Sequence, residues 1–179
     1  MIYFKNRRSP RHIEFDYSQP GAYFITICTK DRICLFGEIQ DDTMILNAAG
    51  RMVERWLLKV PSKFPVFQDD ALIIMPNHLH CVLFNKPNDN TPQLDHKIEA
   101  NPSLSDVIQW LKTMTTNEYI RGVKDLQWNP FRRQLWQRSF YDHVIRNEEE
   151  LAAFRAYIDQ NPLKWSLDKE NPDNLTSRF

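Results

Sequence analysis

Short strand-like runs of apolar positions occur in six places, and apolar positions recur at helical spacing in three. Ala22 to Thr29 (AYFITICT) is dense in β-branched and aromatic side chains and predicts a strand after the Pro20-Gly21 turn. Ile33–Ile39 and Thr43–Leu46 flank Asp41-Asp42 and predict a hairpin. Met52, Val53, Trp56, Leu57 and Val60 recur at helical spacing behind Asn47, a suitable cap, and Pro61 is expected to end that helix. Val66–Met75, closing in the unbroken ALIIM, and His78–Phe84 (HLHCVLF) predict two strands joined at Pro76-Asn77. Ser103 and Asp106 form a capping box for a helix to Arg121, with Val107, Ile108, Leu111 and Met114 on its apolar face. Phe140–Ile145 predicts a last strand. Asn147, followed by three glutamates that suit the positive end of a helix dipole, starts a last helix to about Gln160, stopped by Pro162. This order predicts an α+β fold: a ferredoxin-like antiparallel sheet with helices on one face, plus a C-terminal helix. The expected organisation is one domain over residues 1–165, with a mobile loop at 85–102 and a frayed polar tail at 166–179.

Composition narrows the function. The 179 residues carry 23 Lys+Arg against 23 Asp+Glu, which excludes a polybasic protein of histone type but not a local basic patch. Only four glycines are present, and none are spaced for G-x-G-x-x-G or a P-loop, so nucleotide-driven chemistry of those kinds is not expected. The N-terminal stretch lacks an apolar signal core, no run approaches a membrane span, and three unpaired cysteines (Cys28, Cys34, Cys81) suit a reducing compartment. A cytoplasmic protein is the expectation.

Three features carry possible chemistry. The first is His78-Leu79-His80. In a strand, positions i and i+2 share a face about 7 Å apart, so both imidazoles can converge on one metal while Leu79 enters the core. The spacing alone also suits two histidines on a half-exposed strand. The second is the last helix, where Tyr157 and Asn161, four apart, lie on one face beside the stripe of Leu151, Phe154 and Ile158. Tyr157 reads either as a half-buried packing residue or as a nucleophile toward a phosphodiester polarised by a metal, to which Asn161 would offer its amide oxygen. The third is the stretch 121–146. It holds Arg121, Lys124, Arg132, Arg133, Arg138 and Arg146 against Asp125 and Asp142, interleaved with Trp128, Phe131, Trp136, Phe140 and Tyr141. Arginines on phosphates and aromatics under bases are how single strands are gripped without sequence readout; the plainer reading is a packed loop with solvated arginines.

The blocks YSQPGAYFITICT (17–29), MPNHLH (75–80), SLSDVIQWLK (103–112), WQRSFYDHVIRNEEEL (136–151) and YIDQNPLKW (157–165) together resemble the REP-associated tyrosine transposases. These form a branch of the HUH superfamily of single-tyrosine transposases of insertion-sequence type. The resemblance spans about residues 17–165. It implies that His78 and His80 bind a divalent cation, Mg²⁺ or Mn²⁺, with Asn161 as a third ligand. It also implies that Tyr157 nicks hairpin-bearing single-stranded DNA through a 5′-phosphotyrosine and rejoins it without ATP. Arg132, Arg133, Arg138, Arg146 and Lys164 are then expected on the DNA. Tyr141 is the rival nucleophile but has Ile145, not an amide, four residues on. His143 stays open as ligand, proton carrier, phosphate contact or strand support. The competing function is a domesticated hairpin-binding module that does not cut. Monomer and homodimer are both compatible with the resemblance.

Overall fold

The computed structural model describes residues 20–86 and 102–174. Most of the loop expected at 85–102 therefore lies outside the described residues. Among the described residues six strands form: β1 (Gly21–Cys28), β2 (Gly37–Gln40), β3 (Thr43–Leu46), β4 (Phe67–Ile74), β5 (His78–Asn85) and β6 (Tyr141–Ile145). The helices are α1 (Ala48–Leu57), the short α2 (Val60–Lys63), α3 (Leu104–Asp125) and α4 (Glu148–Asp159). Four strands make one antiparallel sheet in the order β4-β5-β1-β6, the order expected of a ferredoxin-like βαββαβ chain. The β2-β3 hairpin stands apart as a second, two-stranded sheet.

Local chemistry sets the boundaries. Asp41 and Asp42 both adopt positive φ (46° and 58°), the left-handed pair that a two-residue hairpin needs. Asn47 caps α1 by accepting from the Gly50 amide, Ser103 and Asp106 close a reciprocal capping box on α3, and Asn147 caps α4 through the Glu150 amide. Pro61 does not stop the chain's helicity but sits in the first turn of α2, where its missing amide proton costs no hydrogen bond.

The two faces of the sheet are different. On one, Tyr23, Ile25 and Ile27 of β1 and Leu79, Cys81 and Leu83 of β5 pack against α1 and α3 through Met52, Val53, Leu57, Val107, Ile108 and Leu111. On the other, Phe24 and Val82 meet Leu151, Phe154 and Ile158 of α4. The first two long helices thus share a face as expected, and the C-terminal helix covers the reverse face. There Arg155 grips Asp70 of β4 through two hydrogen bonds of 2.7 and 2.6 Å.

The segment after α4 departs from the expected frayed tail. Pro162–Leu167 and Pro172–Asn174 are 3-10 turns, and Glu170 and Asn171 are buried. Arg32 bonds Glu170 at 2.6 Å, and the Asn171 amide donates to the Trp165 carbonyl. The order is imposed by side chains bonding backbone, which leaves no hydrophobic periodicity to read.

Leu79, fully buried on the α1/α3 face, tests this division of faces. Leu79→Ala is expected to cost about 2–5 kcal/mol in urea unfolding. A loss below about 1 kcal/mol would mean that Leu79 is not in the main core.

Candidate metal centre and nucleophile

β1 runs through the middle of the sheet, and its register decides what gathers on the α4 face. Cys28 lies opposite His78, Thr26 opposite His80, and Tyr141 of β6 flanks Thr26 on the other side. Both histidines are buried, His78 fully and His80 to 2% exposure. Their Nε2 atoms face each other at 3.0 Å.

Hydrogen bonds to the other ring nitrogens fix this pose. The Asn77 amide group donates to the carbonyls of Arg32 (2.9 Å) and Glu170 (2.7 Å), which orients its Oδ1 as an acceptor. His78 Nδ1, 2.9 Å from that Oδ1, therefore carries a proton, and neutral His78 presents a lone pair at Nε2. His80 Nδ1 lies 2.8 Å from the Thr26 hydroxyl. Burial pushes the pKa of both rings down. For His78 the Asp168 and Glu170 carboxylates act in the opposite sense, and for His80 its neighbour His78 adds to the lowering. Two neutral imidazoles at this separation suit either an N–H···N hydrogen bond, with His80 Nε2–H donating to His78, or a cation held between the two nitrogens.

The C-terminal segment brings a third donor that the sequence patterns do not indicate. Asp168 Oδ2 lies 3.9 Å from His78 Nε2, and one ligand atom each from His78, His80 and Asp168 lies within 4.8 Å of the others. Asp168 Oδ1 accepts from the Glu170 amide, which holds the carboxylate in place. Asn161 is buried to 2%, and its Oδ1 finds no hydrogen-bond partner among the described residues. An orphaned amide oxygen beside two imidazoles and a carboxylate fits a hard divalent cation. The 3.0 Å spacing fits as well, since two adjacent ligands about 2.1 Å from an octahedral ion lie about 3.0 Å apart. Asp168 thus adds an anionic group beside the neutral residues expected as ligands.

Tyr157 reaches the same place from α4. Its ring meets the His80 ring edge-on at 5.1 Å and Phe24 at 5.8 Å. Burial raises the phenol pKa, the Asp168 carboxylate raises it further, and the Asn161 amide partly offsets this. The phenol is therefore protonated at neutral pH. Tyr141 lies across Thr26 from His80; its ring meets Phe24 at 6.4 Å, and Lys169 sits over its face at 5.8 Å.

The other candidates scatter. His143 lies opposite Phe24, tilts over Phe154 at 5.1 Å, and stands 3.4 Å from a Glu150 carboxylate oxygen; it is not part of the His-His-Asp group. Arg146 follows Ile145, which pairs with Ala22, so it lies at the opposite end of the sheet from His78. Lys164, just past α4, donates to Gln160 at 2.6 Å. Arg132 is exposed on the loop before β6, while Arg133 and Arg138 line a groove against α3.

Known proteins resemble this chain in sequence and in fold. No family model matches the chain. An uncharacterized protein of Haemophilus influenzae is 33% identical over 174 residues, 92% of each chain. A putative REP-associated tyrosine transposase of the same organism is 27% identical over 83% of this chain and 74% of its own. The REP-associated tyrosine transposase of Escherichia coli is 23% identical over 91% and 79%. A solved structure of a REP-associated tyrosine transposase bound to a REP hairpin has the same fold, with a TM-score of 0.57 at 21% identity over 87% of this chain and 74% of that one. The chain is thus similar in sequence, over most of its length, to REP-associated tyrosine transposases, and it shares the fold of one of them.

Two substitutions test the centre. Thr26→Val keeps the side-chain shape but removes the bond to His80 Nδ1, and is expected to weaken Mn²⁺ binding about 10–100-fold by calorimetry. Asp168→Asn is expected to weaken it by at least as much, because it removes the one charged donor. Unchanged affinity in Asp168→Asn would leave the carboxylate outside the ligand set.

Proposed function

We propose that this protein nicks and rejoins hairpin-bearing single-stranded DNA through a 5′-phosphotyrosine on Tyr157. The observation that carries the reading is the meeting of Tyr157 with the buried His78–His80 pair, one imidazole–phenol contact away from a carboxylate and an unpartnered amide oxygen. Two of its relatives in sequence are named transposases, which supports DNA processing in general terms.

His78, His80 and Asp168, with Asn161 beside them, would hold Mg²⁺ or Mn²⁺. That ion supplies Lewis-acid polarisation of a phosphate oxygen and offsets the charge of the nearby carboxylates. The chain's own groups do the rest. Tyr157 Oη bonds to phosphorus, the bond from phosphorus to the 3′ oxygen of the preceding nucleotide breaks, and the proton lost by the phenol is balanced by the one that the departing oxygen takes up to become a 3′-OH. The reverse attack by a 3′-OH restores the phosphodiester and the phenol, so the energy of the bond is kept and no ATP is consumed. Phe24 and Phe154, stacked at 4.4 Å beneath the tyrosine, hold its ring at the sheet and exclude water from its inner side. Burial of the phenol keeps it protonated, and so unreactive, before DNA arrives.

Tyr157→Phe is expected to abolish the covalent adduct with labelled hairpin DNA on a denaturing gel, with binding on a native gel retained and Tyr141→Phe still forming the adduct. EDTA is expected to remove cleavage. An adduct that persists in Tyr157→Phe and is lost in Tyr141→Phe would move the nucleophile to β6. Tight binding with no adduct under any condition would favour a module that holds hairpins without cutting.

A further inference from the structure

α4 is tied to both outer strands of the sheet. In its second half Arg155 holds Asp70 of β4, and in its first turn Glu150 faces His143 of β6. Glu150, Phe154 and Tyr157 stand four and three residues apart, so they share one face of the helix. Tyr157 lies about 10 Å along the axis from Glu150.

That face meets a row of rings. His143 lies opposite Phe24, so both side chains point toward α4. His143 tilts against Phe154 at 5.1 Å, and Phe154 stacks on Phe24 at 4.4 Å. Phe24 in turn meets Tyr157 at 5.8 Å and His80 at 5.3 Å. This path from His143 to the metal centre runs through two phenyl rings, which neither ligate a cation nor relay a proton.

The polar end of His143 points elsewhere. Its Nε2 is sheltered from solvent and closes no hydrogen bond among the described residues; Glu150 Oε1 faces it at 3.4 Å. Glu150 is itself fixed twice. Its Oε2 accepts from the Arg146 amide at 2.8 Å, and its own amide donates to Asn147 Oδ1 at 2.8 Å. The Arg146 bond holds the Glu150 carboxyl below its usual range, so it is a carboxylate at neutral pH. His143 thus meets an anion built into the corner where β6 turns into α4.

We infer that His143 is a positioning residue: with Glu150 it fixes the angle at which α4 leaves β6, and through Phe154 it sets where Tyr157 meets the histidine pair. The inference rests on Tyr157 being the nucleophile. Tethers on the two outer strands, with the Phe24–Phe154 stack between them, oppose rotation of the helix over the sheet. With the β6 tether released, the helix turns about the stack and Tyr157 moves relative to the site. A misplacement of about 1 Å at a reacting group can cost about 100-fold in rate, so a small turn is read in the chemistry before it is read in stability.

The test measures the single-turnover rate of adduct formation on labelled hairpin DNA, at saturating protein and Mn²⁺. Hairpin affinity on native gels and Mn²⁺ affinity by calorimetry are measured beside it. His143→Ala and Glu150→Gln are each expected to slow the adduct about 10-fold or more and to leave both affinities within about twofold. Glu150→Gln keeps an acceptor for the Arg146 amide and removes only the charge that His143 faces. The two substitutions together are expected to be no slower than the slower one alone, because the two groups act as one tether. His143→Gln can donate to the carboxylate but cannot carry a proton, and is expected to recover most of the rate. A full rate in Glu150→Gln would overturn the inference, as would losses that multiply in the double variant. Weaker Mn²⁺ binding in His143→Ala would make the residue a ligand, weaker hairpin binding would make it a DNA contact, and a His143→Gln as slow as His143→Ala would make it a proton carrier; each result overturns the positioning role. A wild-type protein that forms no adduct would instead overturn the nucleophile reading, and this inference with it.

Discussion

Two imidazole nitrogens 3.0 Å apart in a site closed to solvent are the constraint on which the rest of this structure depends. At that distance the two nitrogens either share an N–H···N hydrogen bond or, with both protons on Nδ1, hold a cation between their lone pairs. The surrounding groups are arranged to keep the approach rather than relax it. Asn77, fixed by two carbonyls, orients one ring; Thr26, one strand over, orients the other. Asp168 is delivered by a segment that is itself tied down through Arg32–Glu170 and Asn77. The polar bonds of the C-terminal segment and the pose of the histidines thus support one another.

The sheet divides the work between its faces. Alternation along β5 sends Leu79, Cys81 and Leu83 into a hydrocarbon core under α1 and α3, which supplies rigidity, and sends His78 and His80 to the reverse face. α4 closes that reverse face with a small apolar cluster and carries Tyr157 at its edge. Tyr157 on α4 meets the sheet through the aromatic stack around Phe24 and the edge of His80, and the Arg155–Asp70 pair ties the same helix to β4 at the surface. An exposed pair of that kind contributes little stability, so the helix is held mainly by its apolar stripe.

Much of this was legible in the chain. H-L-H in a strand dictates a shared face, and the caps at Asn47, Ser103 and Asn147 dictate where helices begin; all three caps form. Tyr157 and Asn161 gather at the histidines because helical spacing and strand alternation are both local rules. Asp168 was hidden because its segment has no periodicity and is ordered by side-chain bonds to backbone far away in sequence. The placement of Arg146 was hidden for a related reason: a cluster of arginines in sequence says nothing of strand direction, and β6 runs from the Thr26 end of β1 to its Ala22 end. Thr26 becomes recognisable only once register sets it beside His80.

The central claim is that the histidine pair is built around a divalent cation. Crystals of the wild-type protein soaked in Mn²⁺ and measured at a wavelength sensitive to manganese would test it most directly. The account predicts one strong anomalous peak between His78, His80 and Asp168. An empty position there, with the two Nε2 atoms still in contact and sharing a proton, would contradict it.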